Sequence, residues 1–216
     1  MQRLFLLLSV CLLSACHNPQ TSVDDPYCET PMGVLFFVKD RTGMGQAIQA
    51  STGVYTHVAV SICTDSGEYL WEATRPEGVI CRPLLEALNS WWFEGGLDTT
   101  RAFLDVVTMR QITVPFDTLR LLASLQSFLG QPYDDFFLPD NGRMYCSELI
   151  YESFYDLSGN RLFEAKPMNF RAADGSMPPY WTHYFDSLGV VIPEGVPGTN
   201  PTDMISSPHL ARIRIE

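Results

Sequence analysis

The order of two hydrophobic periodicities constrains the fold of this 216-residue chain more than any other feature. The first half holds apolar or alternating runs of the kind that form strands: 33–38, 56–63, 69–74, 78–84, 101–108 and 111–114. Helical spacing dominates only from Pro115 onward, before an alternating run closes the chain at 210–215. Strands followed by helices predict an α+β fold with an antiparallel sheet.

One β-hairpin can be placed by counting residues. The runs 56–63 and 69–74 flank Thr64-Asp65-Ser66-Gly67, a composition that favours a tight turn. A two-residue or four-residue loop sets Cys63 opposite Glu68, which places Glu72 on the same face as His57 and diagonal to it. A three-residue loop would shift the register and turn Glu72 to the other face.

The hairpin therefore predicts a side-chain pair between His57 and Glu72. A carboxylate inside an apolar strand requires a partner, and small neighbours leave room beside the imidazole. Two alternatives remain at this point. Glu72 can instead form a salt bridge with Arg75 or Arg82, and His57 can be a partly buried strand histidine with one satisfied hydrogen bond.

Cys146 begins a helix predicted to run to about Gly159. Its apolar stripe consists of Cys146, Leu149, Ile150, Phe154 and Leu157. A helix N-terminus favours a thiolate and offers free backbone N–H groups to an oxyanion. A cysteine on an apolar stripe is otherwise a small buried hydrophobe. A histidine that reaches the sulfur would make the chain a thiol enzyme, and His57 is the best placed of the four histidines.

Four short motifs in this order resemble the YiiX-like family of circularly permuted papain-like proteins, which are related to NlpC-type cell-wall peptidases and to lecithin–retinol acyltransferase. The motifs are Thr56-His57-Val58-Ala59-Val60, Trp71-Glu72-Ala73, Gly130-Gln131-Pro132-Tyr133-Asp134 and Tyr145-Cys146-Ser147-Glu148-Leu149. The histidine strand precedes the cysteine, as permutation predicts. The resemblance covers most of 32–156 and, loosely, the final strand. It implies a permuted papain-like α+β fold, with an antiparallel sheet or half-barrel packed on helices.

The resemblance also implies a Cys-His-Glu triad, with Cys146 as nucleophile, His57 as base and Glu72 orienting His57. Tyr133, Tyr145 and Tyr55 are further candidates for substrate binding or for the oxyanion site. The segment 160–208 matches no known motif and is expected to shape the substrate pocket.

The expected activity is hydrolysis of an amide bond, in a cell-wall peptide or an N-acyl amine, through a thioester. Acyl transfer of the lecithin–retinol type and a non-catalytic binding module are the alternatives. No cofactor is expected. Cys63, Cys81 and the histidines lack the close spacing of metal ligands, so no metal site is expected either.

The N-terminus has the pattern of an export signal. Arg3 precedes an apolar run at 4–13, and Leu13-Ser14-Ala15-Cys16 resembles a bacterial lipobox. This predicts a signal peptide at 1–15, a lipid such as palmitate on Cys16, a flexible tether at 16–31 and one catalytic domain at 32–216. An ordinary secretory signal cleaved after Ala15 is the alternative. The expected location is the cell envelope, on the outer membrane or the extracytoplasmic face of a bacterial membrane.

The net charge limits which molecules the protein can bind, and the cysteine count limits its disulfides. The formal net charge is −11, which argues against nucleic acid and against electrostatic docking to anionic lipid, so the lipid anchor should provide the membrane association. A peptide or small molecule with an amide bond remains as the substrate. With Cys11 and Cys16 set aside, a free Cys146 allows at most one disulfide among Cys28, Cys63 and Cys81.

Overall fold

The computed structural model describes residues 32–40, 42–94 and 105–213. The predicted signal peptide, the lipidated Cys16 and the tether therefore lie outside the described residues, and so does Cys28. The described helices are all too short or too polar to cross a membrane.

The described residues include eight strands and six helices. The strands are β1 (Val34–Val38), β2 (His57–Thr64), β3 (Gly67–Thr74), β4 (Gly78–Pro83), β5 (Val107–Ile112), β6 (Lys166–Pro167), β7 (Pro197–Gly198) and β8 (Leu210–Arg212). The helices are α1 (Gly43–Thr52), α2 (Leu84–Glu94), α3 (Thr118–Phe128), α4 (Cys146–Ser153), α5 (Pro179–Leu188) and α6 (Pro201–Ile205).

Six strands form an open antiparallel sheet in the order β4-β3-β2-β1-β5-β8, while β6 and β7 pair separately. The α+β prediction with an antiparallel sheet is confirmed. A two-residue turn joins β2 to β3 and places Cys63 opposite Glu68, as the residue count predicted. One strand, β5, replaces the two predicted at 101–108 and 111–114, and 101–104 lie outside the described residues.

Two predicted helix boundaries were wrong. α3 begins at Thr118 rather than in a turn opened by Pro115, because the Asp117 side chain caps it by accepting the Arg120 N–H at 2.9 Å. α4 ends at Ser153 because Phe154 is extended. Leu157, expected on the buried stripe, is consequently 73% exposed.

Both faces of the sheet are covered. One face packs on α3 and α4, where Leu35, Val60 and Trp71 share a core with Cys146 and Leu149. The other face packs on α2 through a second core that includes Phe36, Ala59, Leu70, Leu84 and Ala87. A third, aromatic cluster joins α1, α5 and the segment before α4: Phe137, Tyr145, Phe170, Trp181 and Phe185.

The loop after α3 is held against β4 by two backbone hydrogen bonds. Val79 N–H donates to the Gln131 carbonyl oxygen at 2.8 Å, and Gly130 N–H donates to the Val79 carbonyl oxygen at 2.9 Å. Gly78 lies beside this contact with φ of 81°, and a Cβ atom there would come within 2.1 Å of the Gln131 carbonyl oxygen. The close approach of the loop to β4 therefore requires glycine at this position.

We expect Gly78→Ala to lower the free energy of unfolding by about 3 kcal/mol, because it adds a backbone clash to the strain of a positive φ. Gly130→Ala is a matched control, since Gly130 has the same φ of 81° and nothing within 4 Å of its added Cβ. That control should lose only about 1 kcal/mol. Urea unfolding measures both, and equal losses would contradict the role given to the Gln131 contact.

Candidate active site

His57 and Glu72 form the pair that the hairpin predicts. His57 is the first residue of β2, and its Nε2 lies 2.7 Å from Oε2 of Glu72 in β3. Glu72 is only 1% exposed, and its other oxygen accepts from Arg82, at 2.8 Å from Nε and 2.5 Å from Nη2. The predicted pair and the alternative salt bridge to Arg82 are thus both present. The alternative with Arg75 is wrong, because Arg75 pairs with Asp135 at 2.6 Å.

Cys146 is the first residue of α4 and a buried free cysteine. Its Sγ lies 4.0 Å from the carbonyl oxygen of Thr56, the residue before His57, and its side chain is close enough to the His57 ring to raise the pKa of His57. Nε2 of His57 faces Glu72, so Nδ1 is the ring nitrogen left to face the sulfur. Cys146, His57, Glu72 and Arg82 therefore form one continuous polar chain.

The charges of this chain support one another. Burial alone would lower the pKa of His57, but hydrogen bonds to Cys146 and Glu72, and their negative charges, raise that pKa from 6.5 to about 10. Burial alone would raise the pKa of Glu72, but the hydrogen bonds and positive charges of His57 and Arg82 lower it. At neutral pH the His57–Glu72 pair is therefore an imidazolium and a carboxylate.

This ion pair gives stability a predictable pH dependence. Above about pH 6.5 the unfolded chain loses the His57 proton that the folded protein keeps to about pH 10, so the stability contributed by His57 falls over that range. Below about pH 4.5 the unfolded chain protonates Glu72 while the folded pair resists, so stability falls again. The difference in unfolding free energy between the wild type and His57→Gln should therefore shrink from pH 6.5 to 10. Urea titrations at fixed ionic strength measure it, and a pH-independent difference would contradict the ion pair.

Tyr133 lies in a loop whose backbone is held by the buried carboxylate of Asp134. Asp134 is fully buried and accepts hydrogen bonds from the backbone N–H groups of Phe136 and Leu138, at 2.9 and 2.8 Å, and from Asn141 Nδ2 at 2.9 Å. Burial, together with the negative charge of Cys146, raises the pKa of Tyr133 well above 10. Tyr133 is therefore a neutral phenol, and it packs against the core that contains Cys146.

The other two candidate tyrosines direct their hydroxyls to different partners. The Tyr145 hydroxyl accepts the Thr199 N–H at 3.0 Å, and its ring packs on Phe137 with centroids 5.4 Å apart. The Tyr55 hydroxyl lies 3.0 Å from Oγ1 of Thr108 in β5. Their roles in substrate binding or oxyanion stabilisation stay predictions.

Several residues of the site escaped the sequence analysis. The Arg75 guanidinium lies over the rings of Tyr133 and Tyr184, at 4.7 and 5.1 Å from their centroids. Tyr184 also donates to Asp135 at 2.8 Å, which brings α5 of the unassigned segment 160–208 to the Tyr133 loop. Arg75 and Tyr184 are 109 residues apart, so no local pattern signals their contact.

Two further side chains next to His57 and Cys146 were not predicted from the sequence. Trp91 of α2 packs edge-on against His57, with ring centroids 6.2 Å apart. Glu148 is buried in the first turn of α4 and accepts the Tyr145 N–H at 3.3 Å. Burial, with the negative charge of Asp134, raises the pKa of Glu148 to about 8, so this side chain is mostly a neutral acid at pH 7.

A sequence model of the family described as "Permuted papain-like amidase enzyme, YaeF/YiiX, C92 family" matches residues 29–214. The chain belongs to this family. Membership confirms the resemblance found in the motifs and makes the protein a cysteine hydrolase-like enzyme with a permuted papain-like fold.

Two relatives agree with this assignment. The uncharacterized protein YiiX of Escherichia coli K12 is 25% identical over 187 residues, which cover 85% of this chain and 86% of that protein. A crystal structure of yiiX from Escherichia coli O157:H7, described as a metalloprotein, shares the fold with a TM-score of 0.65 and 21% identity, over 86% of this chain and 97% of that one. Among the residues described in the present chain, no group of three or more His, Cys, Asp or Glu is placed to hold a metal ion.

Proposed function

We propose that the protein is an exported, lipid-anchored cysteine hydrolase that cleaves amide bonds through a Cys146–His57–Glu72 triad. The observation that carries the proposal is the His57 ring, which lies between the Glu72 carboxylate, at 2.7 Å, and the Cys146 side chain. This is the arrangement that a cysteine nucleophile requires, with a base in contact with the sulfur and a third group that fixes the base. The amidase family supports hydrolysis more directly than acyl transfer.

Because His57 begins the reaction protonated, it acts first as the acid that protonates the leaving amine and then as the base that activates water. The Cys146 thiolate attacks the amide carbonyl and forms the carbon–sulfur bond, while the oxyanion receives the backbone N–H of Cys146 at the start of α4. The Nδ1 proton of His57 passes to the leaving amine as the carbon–nitrogen bond breaks. Water then attacks the thioester, His57 takes its proton, and release of the acid restores the thiolate–imidazolium pair.

An assay of a single N-acyl amide with and without an added amine acceptor tests this function. Hydrolysis predicts that the free acid accumulates at the same rate in both cases. Quantitative conversion to the new amide would show an acyltransferase, and tight binding without product would show a binding module.

The substrate class and the anchor belong to the same proposal. A cell-wall peptide or an N-acyl amine would meet the enzyme at the cell envelope, and the lipobox-like Leu13-Ser14-Ala15-Cys16 supports attachment there. Metabolic labelling with palmitate should mark the full-length protein and not Cys16→Ser. Equal labelling of the two would contradict lipidation at Cys16.

A further inference from the structure

Two arginines face each other across the edge of the sheet. Arg110 of β5 is the direct cross-strand partner of Arg212 of β8. Like charges directly opposite destabilise a strand pair. Within the described residues neither guanidinium forms a salt bridge with a carboxylate, although the chain as a whole carries a net charge of −11. This arrangement leaves an uncompensated positive pair that a bound anion would stabilise.

The pair lines a surface depression of about 310 Å³. The other lining residues are Tyr55, Val107, Thr108, Met109 and Ile213. The Tyr55 hydroxyl and Thr108 Oγ1 are hydrogen-bonded to each other at 3.0 Å, which leaves one of the two O–H groups to donate to an anion. Partial burial, together with the charge of Arg212, lowers the pKa of Arg110.

Arg110 in the depression and Cys146 lie on the same side of the sheet. Arg110 pairs with Leu35, whose side chain belongs to the same core as Cys146. Tyr55 is two residues before His57, and its backbone N–H donates to Oγ1 of Thr202 in α6 at 3.1 Å. Tyr55, which lines the depression, therefore precedes the residue whose carbonyl oxygen lies 4.0 Å from Cys146 Sγ, and this places the depression close to the sulfur.

We propose that Arg110 and Arg212 form an anion subsite that binds a carboxylate or phosphate group of the amide substrate. Guanidinium groups bind such anions through paired, charge-assisted hydrogen bonds, and two arginines line this depression without a salt bridge to a carboxylate among the described residues. The inference rests on the proposed hydrolase function, and it restricts the substrate to amides that carry a negative charge away from the scissile bond.

The subsite can be tested without turnover. Titration of inorganic phosphate into the Cys146→Ala protein, at constant ionic strength and followed by NMR, should show saturable shifts at β5 and Tyr55. The double variant Arg110→Gln/Arg212→Gln on that background should bind phosphate at least about tenfold more weakly. Arg171→Gln is the control for a positive charge lost elsewhere, because it removes one arginine from an exposed loop, and it should leave binding unchanged. Equal phosphate binding by the double variant, or no saturable binding in its parent, would overturn the subsite.

Kinetics on the wild-type background test whether the anion belongs to the substrate. An N-acyl amino acid and its neutral methyl amide form a matched pair of substrates. The double variant should raise KM for the acid by about tenfold and leave KM for the amide unchanged, and phosphate should compete only with the acid. Phosphate binding without either effect would overturn the assignment to the substrate. Failure to turn over any amide would refute the hydrolase function, while the phosphate titration would still test the subsite. If the double variant does not fold, the single variant Arg212→Gln, at an exposed residue, replaces it in both experiments.

Discussion

Cys146→Ala should reduce amide hydrolysis by about 10⁴-fold or more, because without the sulfur no thioester can form. The free energy of unfolding should change by less than about 1.5 kcal/mol, since a buried cysteine packs as a small apolar side chain and this one has no disulfide partner. Measurements of kcat/KM and urea unfolding on the same preparations separate lost chemistry from lost structure.

Ser147→Ala provides the matched control for this variant. Ser147 follows Cys146 in α4, is equally buried, and its Oγ has no hydrogen-bond partner among the described residues. Removal of that hydroxyl should leave turnover near the wild-type rate. Full turnover by Cys146→Ala would contradict the assignment of Cys146 as the nucleophile.

Glu72→Gln should lower kcat by about 10² to 10⁴-fold, because a neutral amide no longer favours the His57 tautomer and charge that the reaction needs. It should also cost about 3 kcal/mol of stability, since the partly buried Arg82 would lose the buried carboxylate that neutralises it. The pKa of His57 should fall from about 10 toward its ordinary value as one of its two anionic partners is lost. NMR titration of the His57 ring protons measures that shift directly.

Glu152→Gln controls for the loss of one negative charge. Glu152 forms a salt bridge with Arg161 at 2.6 Å on the more exposed side of α4. Its replacement should change stability by less than about 0.5 kcal/mol and leave kcat unchanged. A Glu72→Gln protein with wild-type kcat and an unshifted His57 titration would contradict the orienting role of Glu72.

The hairpin that carries His57 and Glu72 could be predicted because strand geometry is periodic. Turns of two and of four residues give the same register and place the two side chains on one face, and only a three-residue turn would separate them. The approach of Cys146 to His57 has no such local cause. It was expected only because the order of the four motifs resembles a permuted family.

Other features escaped prediction because their causes are tertiary or lack a sequence marker. β4 ends at Pro83 and α2 begins at Leu84, so no glycine or polar turn signals the helix that packs Trp91 on His57. Glu72 binds both His57 and Arg82, whereas the sequence offered these two residues as alternative partners. The arginine pair depends on the pairing of β5 with β8, which are almost 100 residues apart.

The measurement that tests the central claim most directly is the mass of the protein during turnover of an N-acyl amide. The account predicts a transient increase equal to the acyl group, mapped by peptide digestion to Cys146 and discharged by hydroxylamine, as a thioester is. The adduct should be absent from Cys146→Ala and should form far more slowly in His57→Gln. Undiminished turnover after complete alkylation of Cys146 would contradict the account.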